Sequence, residues 1–363
     1  MEQNPNLRIK TTITAKRDEQ QTLPDIIIFD ESKYSDLVDN GSLLPLTLFS
    51  DTVNTTLKEQ QALPLVSFMD LLFYNVDLLK AAGFNRPPKT RDEFFAFSRI
   101  LTDSNNEKLA NVSGTAMGLC PSDNLALSRD IFSWLWAGGG NFWSEDSDIP
   151  DINNRNMTAI IAFLGRLYRE GILAQGSFET TGEQRMEQFA RGEIGMMITS
   201  TSYIPMLKKQ MGDNLGITMI PGSGTAEKYY IGLNNYYAGI SSESVYPDEA
   251  LKFLFFLTEQ RQFLCEKLQA VPGMVSDVFA GDYIRNDPTN YKVWEIFMHS
   301  GTEIVQGFSG KPGGEEFENI FREEIKIFFE GNRTAEVTTT AIQRRWTELV
   351  NSNNEGHHIQ SGN

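Results

Sequence analysis

Few side chains in this chain are spaced for catalysis. The three histidines, His299, His357 and His358, form no ligand spacing, and the two cysteines, Cys120 and Cys265, lie far apart outside any C-x-x-C pair. Neither G-x-S-x-G nor H-E-x-x-H occurs, so the signatures of serine hydrolases and zinc peptidases are missing. Gly138-Gly139-Gly140 follows an apolar helical run and has no Lys-Ser/Thr behind it. It reads as a helix C-cap rather than a phosphate loop. Carboxylates are plentiful, 48 in all, which keeps a paired-acid glycosidase open as an alternative class. A glycosidase barrel would need eight strand–helix repeats, and no such period is found. What remains is chemistry of recognition. Asp30 and Glu31 end an apolar strand, Asp123 and Asn124 (with Ser128 behind them) follow another, and Ser200, Ser202 and Tyr203 follow a third. Asn234, Asn235 and Tyr236 add amides that both donate and accept, groups that suit a ligand's hydroxyls and suit any turn as well.

The elements that must position these groups are legible in outline. Pro24 to Asp30 reads as a buried strand of parallel type, and open α/β sheets bind ligands beyond the carboxyl ends of their strands. Phe29, Asp30, Glu31 and Ser32 are therefore candidate contacts, with Asp30 equally suited to cap a helix over Ser32–Val38. Leu63 to Met69 is extended, since Pro64 disfavours helix before it, and Leu71 to Tyr74 continues as a buried strand. A short helix from Val76 to Ala82 stops at Gly83, and Thr90 with Glu93 has capping-box spacing for the next helix. Met157, Ile160, Ile161, Leu164 and Leu167 form a helical core stripe ended by Gly171. Gln184 to Phe189 is helical, and Ile194 to Ile198 is a buried strand leading into Thr199-Ser200-Thr201-Ser202-Tyr203. Asn6 to Ile13 alternates as a strand after a turn.

Leu72 to Phe94, LFYNVDLLKAAGFNRPPKTRDEF, resembles a signature of family 1 extracellular solute-binding proteins, the maltodextrin-binding-protein-like sugar receptors of ABC importers. Three further stretches resemble family elements in order: Pro24–Phe29, Phe189 to Tyr203, and Lys228 to Ser241. The resemblance implies an α/β fold of two-lobed periplasmic-binding-protein type (type II, Venus flytrap) with three interlobe crossovers. It puts residues 1–67 plus 235–286 in lobe I and 68–234 plus 287–350 in lobe II, with a disordered polar tail at 351–363. It implies a sugar ligand, membrane permease subunits as partners, a monomer, no enzyme activity and no cofactor or metal. Ser67 and Phe68 lie at the first implied crossover, Asn234 to Tyr236 at the second, and Tyr283 to Pro288 at the third. In relatives the aromatic at the place of Tyr203 stacks on sugar, as a flat apolar face suits the C–H patch of a pyranose. The Gly-rich loop Gly307 to Glu316, including Gly313, supplies a further contact in relatives. No tryptophan stands in that loop, and Phe308 is its nearest aromatic. The family's first ligand loop is missing, which also leaves room for a binding lobe repurposed as a sensor or adhesin.

Bulk properties agree with a receptor of this kind. The chain has 363 residues, 40% of them hydrophobic, enough for two ordinary lobes. Its net charge of −16 argues against nucleic acid or anionic lipid as a partner. No apolar run reaches transmembrane length and no secretion signal opens the chain, since Met1 to Pro5 leads directly into a turn. A periplasmic or cell-surface lipoprotein is the location the resemblance implies. Two buried free thiols are expected in place of a disulfide.

Overall fold

The computed structural model describes residues 10, 24–49, 61–103, 105–120, 126–143, 149–222, 229–272, 282–298, 302–305, 308, 313–331 and 333–360. Strands β1 (Ile26–Asp30), β2 (Ala62–Asn75), β3 (Ser113–Ala116), β4 (Ile194–Ser200), β5 (Leu215–Thr218), β6 (Tyr229–Ile240), β7 (Val271–Pro272) and β8 (Thr302–Val305) form one connected set. Its main path runs β1-β6-β2-β4-β3, with β5 and β7 on β2 and β8 on β6. The N-terminal half of β2 pairs antiparallel with β6, from Ala62 opposite Gly239 to Met69 opposite Leu233. Its C-terminal half pairs with β4 and β5 instead. Register shifts between Pro64 and Val66, where proline has no N–H to give the ladder.

Because β2 changes partners halfway, it carries two separate groups of helices. Around its first half pack α8 (Pro247–Glu259) and α9 (Arg261–Leu268), burying Leu63, Leu65, Ala238, Leu251 and Leu254. Helix α1 (Tyr34–Asp39) closes the outer end beside β1. Around the second half, α6 (Gly182–Ala190), α7 (Ile204–Met211) and α11 (Pro288–Phe297) cover one side, with Met69, Leu71, Phe73, Met197 and Ile204 at the centre. On the other side are α3 (Arg91–Thr102), α4 (Ala126–Ala137), α5 (Arg155–Arg169), α12 (Gly314–Phe329) and α13 (Ala335–Gln360). Their shared core includes Phe94, Phe132, Phe142, Phe321 and Trp346. Each such side chain contributes about 1.5–3 kcal/mol on full burial. An ion pair between Lys208 and Asp287 links α7 to the start of α11.

Local signals behave as the residue types require. Helix α2 (Val76–Ala81) begins at an Asn75 cap and is followed by Gly83 at φ +88°. The triple glycine is a C-cap: Gly140 N–H bonds Leu135 C=O, with Gly139 at φ +80°. The α5 stripe Met157, Ile160, Ile161, Leu164 and Leu167 is buried. Both cysteines are buried and neither forms a disulfide. Among the described residues no helix is long and apolar enough to cross a membrane.

Three expectations change, and the region of the implied third crossover gains a conformation. Strand β1 is not of buried parallel type, because it pairs antiparallel with β6 and leaves Ile28 57% exposed. Thr90 caps α3, but Glu93 turns away from it to accept from Lys89 N–H and clasp Arg86, so the reciprocal half of the capping box is not made. The third crossover region is helical, with α10 (Asp282–Arg285) followed by the Asp287 cap of α11. The backbone stays helical to Gln360, where a disordered tail was expected from Asn351. The expected strand at Asn6 to Ile13 lies almost wholly outside the described residues, only Lys10 being described.

Candidate functional site

Along β2 and β6 side chains alternate between two faces, so neighbours in sequence enter different surroundings. Ser67 and Asn235 face each other on one side, and Phe68 and Asn234 on the other. On the first side Ser67 is 0% exposed, and its Oγ donates to Asn235 Oδ1 at 2.5 Å. The Asn235 backbone N–H and Nδ2 both donate to Glu31 Oε2, at 3.2 and 2.8 Å. Burial pushes the Glu31 carboxyl up from 4.5 to about 7, with the two Asn235 hydrogen bonds opposing and Asp30 adding to the rise. These three residues satisfy one another inside the protein. They hold the strand junction rather than face a cleft, contrary to the expectation of ligand contact.

On the opposite face the ring of Tyr236 is 39% exposed, and Phe68 meets it edge-on at 5.7 Å and 87°. Burial raises the Tyr236 phenol, Asp30 and Tyr203 raise it further, and Arg129 lowers it. The ring thus packs on the crossover of β2 and lies opposite the end of β1, and it is acted on electrostatically from the turn after β4 and from the start of α4. Tyr203 ends a 3-10 turn at Thr201–Tyr203 and is half-buried, packed partly against the core beneath. Thr201 Oγ1 accepts from Met69 N–H at 3.0 Å, tying that turn to the crossover strand. Ser200 is half-buried and Ser202 exposed, with their hydroxyls 3.0 Å apart.

Three residues without a sequence expectation join this face. Asp70 follows Phe68 on the same side of β2, is 6% exposed, and accepts from Asn234 Nδ2 at 3.2 Å. Burial raises its carboxyl, while Arg129 and Asn234 pull it down. Glu318 of α12 is pushed up to about 7 by burial, with Arg322 and Arg129 opposing and Glu315 adding to it. Arg129 thus acts on acids from two elements and on the Tyr236 ring. Asp70 was detectable as a lone acid in a buried apolar strand. Arg129 and Glu318 carry no such signal, because each sits in a helix whose facing partner is remote in sequence.

Other expected contacts fall elsewhere. Phe29 is buried against Tyr34 and Tyr237, with ring centroids 6.2 and 5.9 Å away, and belongs to the core. Phe308 is 0% exposed among Phe132, Phe142, Trp143, Phe317 and Trp346, so it cannot stand in for a cleft tryptophan. Gly313 is half-buried at φ +71° immediately before α12. Asp123 and Asn124 lie outside the described residues, as do the side chains of Ser32 and Ser128. Among the described residues no group of His, Cys, Asp and Glu is arranged to hold a metal. The arrangement offers an exposed ring, hydroxyls, an amide and a guanidinium, which is the equipment of reversible binding.

A sheet whose two longest strands serve two helix groups, with a polar and aromatic cluster at their shared middle, defines the two-lobed binding-protein architecture. The chain belongs to the bacterial extracellular solute-binding protein family, whose pattern it matches over residues 8–262. Members of that family are binding proteins. Among solved structures it is similar to an ABC substrate-binding protein from Listeria monocytogenes in complex with cycloalternan, at a TM-score of 0.71 and 16% identity over 90% of this chain and 85% of that one. It is also similar to a maltose-bound MalE3 of T. maritima, at a TM-score of 0.69 and 19% identity over 91% and 85% of the two chains. At such identity these likenesses establish the fold. By sequence it is 22% identical over 231 residues to a Deinococcus radiodurans protein described as a probable ABC transporter-binding protein, covering 62% of this chain and 53% of that one. The chain spans about half the length of the curated relatives it matches.

Proposed function

We propose that this protein is an extracytoplasmic receptor that binds a sugar or oligosaccharide between two lobes and delivers it to the permease subunits of an ABC importer. The lobes are 1–67 plus 235–286 and 68–234 plus 287–350, and the protein acts as a monomer in the periplasm or as a surface lipoprotein. One observation carries the reading: the half-exposed ring of Tyr236 lies edge-on to Phe68 and opposite Asp30 across the β1–β6 pairing, and Asp30, Arg129 and Tyr203 all act on it electrostatically. Rings that offer a flat apolar face beside hydroxyls and charged hydrogen-bonding groups suit a pyranose, apolar on its faces and polar at its rim. The solved relatives with cycloalternan and maltose bound agree with that chemistry. Ligand binding closes the lobes about the β2 and β6 crossovers, and the importer recognises the closed form. Glycosides are bound and not hydrolysed.

A thermal-shift screen against mono- and oligosaccharides tests this directly, since a ligand that binds only the native state raises the melting temperature. The expected result is a clear rise with a subset of sugars, accompanied by a smaller radius of gyration in small-angle scattering. No rise across a broad panel would refute the sugar assignment. A rise with an unchanged scattering profile at saturation would leave the ligand but remove the closure.

A further inference from the structure

Strands β6, β2 and β4 lie abreast at the crossover, and residues opposite one another in an antiparallel pair project to the same side of the sheet. Asn234 stands opposite Phe68. Asp70, two residues on and hence on the same side of β2, stands opposite Ser200 of β4. Tyr236 extends the row beyond Asn234, its ring edge-on to Phe68 at 5.7 Å. The row crosses two strand spacings, about 10 Å. It is open at its ends, where Tyr236 is 39% exposed and Ser200 half-buried, and closed in the middle at Phe68 and Asp70.

Hydrogen-bonding capacity is left over in this row. A carboxylate has about four acceptor sites on its two oxygens. Among the described residues Asp70 receives one hydrogen bond on them, from Asn234 Nδ2 to Oδ2, with the Arg129 charge acting on it as well. Burying an acid so sparsely bonded costs free energy, and the strand itself does not call for one, since the buried Met69, Leu71, Leu72 and Phe73 surround it. Ser200 Oγ accepts from the N–H and the hydroxyl of Ser202, at 3.3 and 3.0 Å, which leaves its own O–H to donate. An acceptor and a donor therefore stand side by side across the β2–β4 ladder.

We propose that Asp70 and Ser200 form a subsite for two adjacent hydroxyls of the ligand, one donating to the Asp70 carboxyl and the other accepting from the Ser200 hydroxyl. This rests on the sugar reading above and narrows it to sugars with a free vicinal pair of hydroxyls. Each sugar hydroxyl both donates and accepts, so a neighbouring pair answers both groups at once. Asp70 is then a specificity-determining residue. A buried acceptor deprived of its donor is penalised, and a site built to bond a hydroxyl rejects the analogue that lacks it.

The test uses the full chain, a neutral oligosaccharide that raises the wild-type melting temperature, and the monodeoxy analogues of that sugar. With wild type, the analogues lacking either of two hydroxyls on adjacent carbons should bind at least tenfold more weakly in calorimetry. Asp70→Asn keeps the shape and an acceptor for Asn234 but turns amide N–H groups toward the ligand. It should melt near the wild type and bind the parent sugar at least tenfold more weakly. One of the two analogues should then bind this variant about as well as the parent does. Ser200→Ala should cancel the penalty of the other analogue in the same way, and it carries the test alone should Asp70→Asn fold poorly. A residue that merely supports the strands weakens parent and analogues in proportion, since its loss is coupled to no single hydroxyl. Proportionate losses in both variants, or native affinity in Asp70→Asn, would overturn the subsite while leaving the sugar reading in place. Penalties that cancel at carbons that are not adjacent would overturn the vicinal pair. A wild-type protein that responds to no sugar would bring down the sugar reading itself, and this proposal with it.

Discussion

On one face of the paired crossover strands, Ser67, Asn235 and Glu31 are sealed from solvent and spend their hydrogen bonds on one another. On the other face, one residue along each strand, Phe68 is buried edge-on against Tyr236 and Asn234 bonds Asp70, while the Tyr236 ring keeps 39% of its surface open. Both faces carry polar residues of the kinds that sugars use. What separates them is satisfaction: a buried amide already bonded to a buried acid has nothing left for a ligand, whereas a half-exposed phenol does. A sealed polar junction also fixes the register of β2 on β6, because a slip of one residue would exchange the two faces.

That contrast can be broken in three ways, taken from the largest expected effect. Glu31 on the sealed face has a folded carboxyl near 7 against 4.5. A raised carboxyl means that the folded protein binds the proton more tightly than the unfolded chain. Its stabilisation is therefore complete below pH 4.5 and lost as pH climbs through 7, about 3 kcal/mol at ~1.36 kcal/mol per unit. Glu318 of α12 adds a decline over the same range. Glu31→Gln should consequently lower the melting temperature less than wild type between pH 5 and 8. An identical decline in both proteins would place the titration elsewhere.

Asn235→Ala attacks the same face from the amide side, stripping partners from Ser67 Oγ and Glu31 together. A cost of about 2–3 kcal/mol in unfolding free energy is expected from such unpaired buried groups. The loss should be greater at pH 8 than at pH 5, because the protonated acid tolerates burial better. Denaturant titrations at the two values read this out, and a pH-independent loss would mean that Glu31 is not what Asn235 serves.

Tyr203→Ala sharpens the open side. Stacking contributes ~0.5–1.5 kcal/mol beyond the ring's burial, and burial adds about 1–2 kcal/mol, so sugar binding should weaken ten- to a few hundred-fold. As the ring is half-buried on the core beneath, some stability is lost too, but less than the ~3–5 kcal/mol of a fully buried aromatic truncation. Calorimetric titration and the unfolding midpoint must be measured on the same variant. Strong destabilisation with native affinity would move Tyr203 from the cleft into the core.

By itself the sequence determined the local grammar of this protein. Pro64 set the irregularity in β2, Thr90 and Asn75 started helices, Gly83 and the triple glycine ended them, and the stripe from Met157 to Leu167 fixed a buried helix face. Those features depend on neighbours within a few residues, and residue type decides them. Sequence also singled out the short stretches that hold Asp30, Tyr203 and Tyr236. It could not say which polar residue of each pair would be sealed, because that depends on pairing Ser67 with Asn235 across 168 residues and on Glu31 arriving beneath them. Only the tertiary structure turned Phe29 and Phe308 into core, and set Arg129 to act electrostatically on both Asp70 and Glu318. Burial and electrostatic partnership are properties of the packed chain, set by which distant elements meet, and no local pattern encodes them.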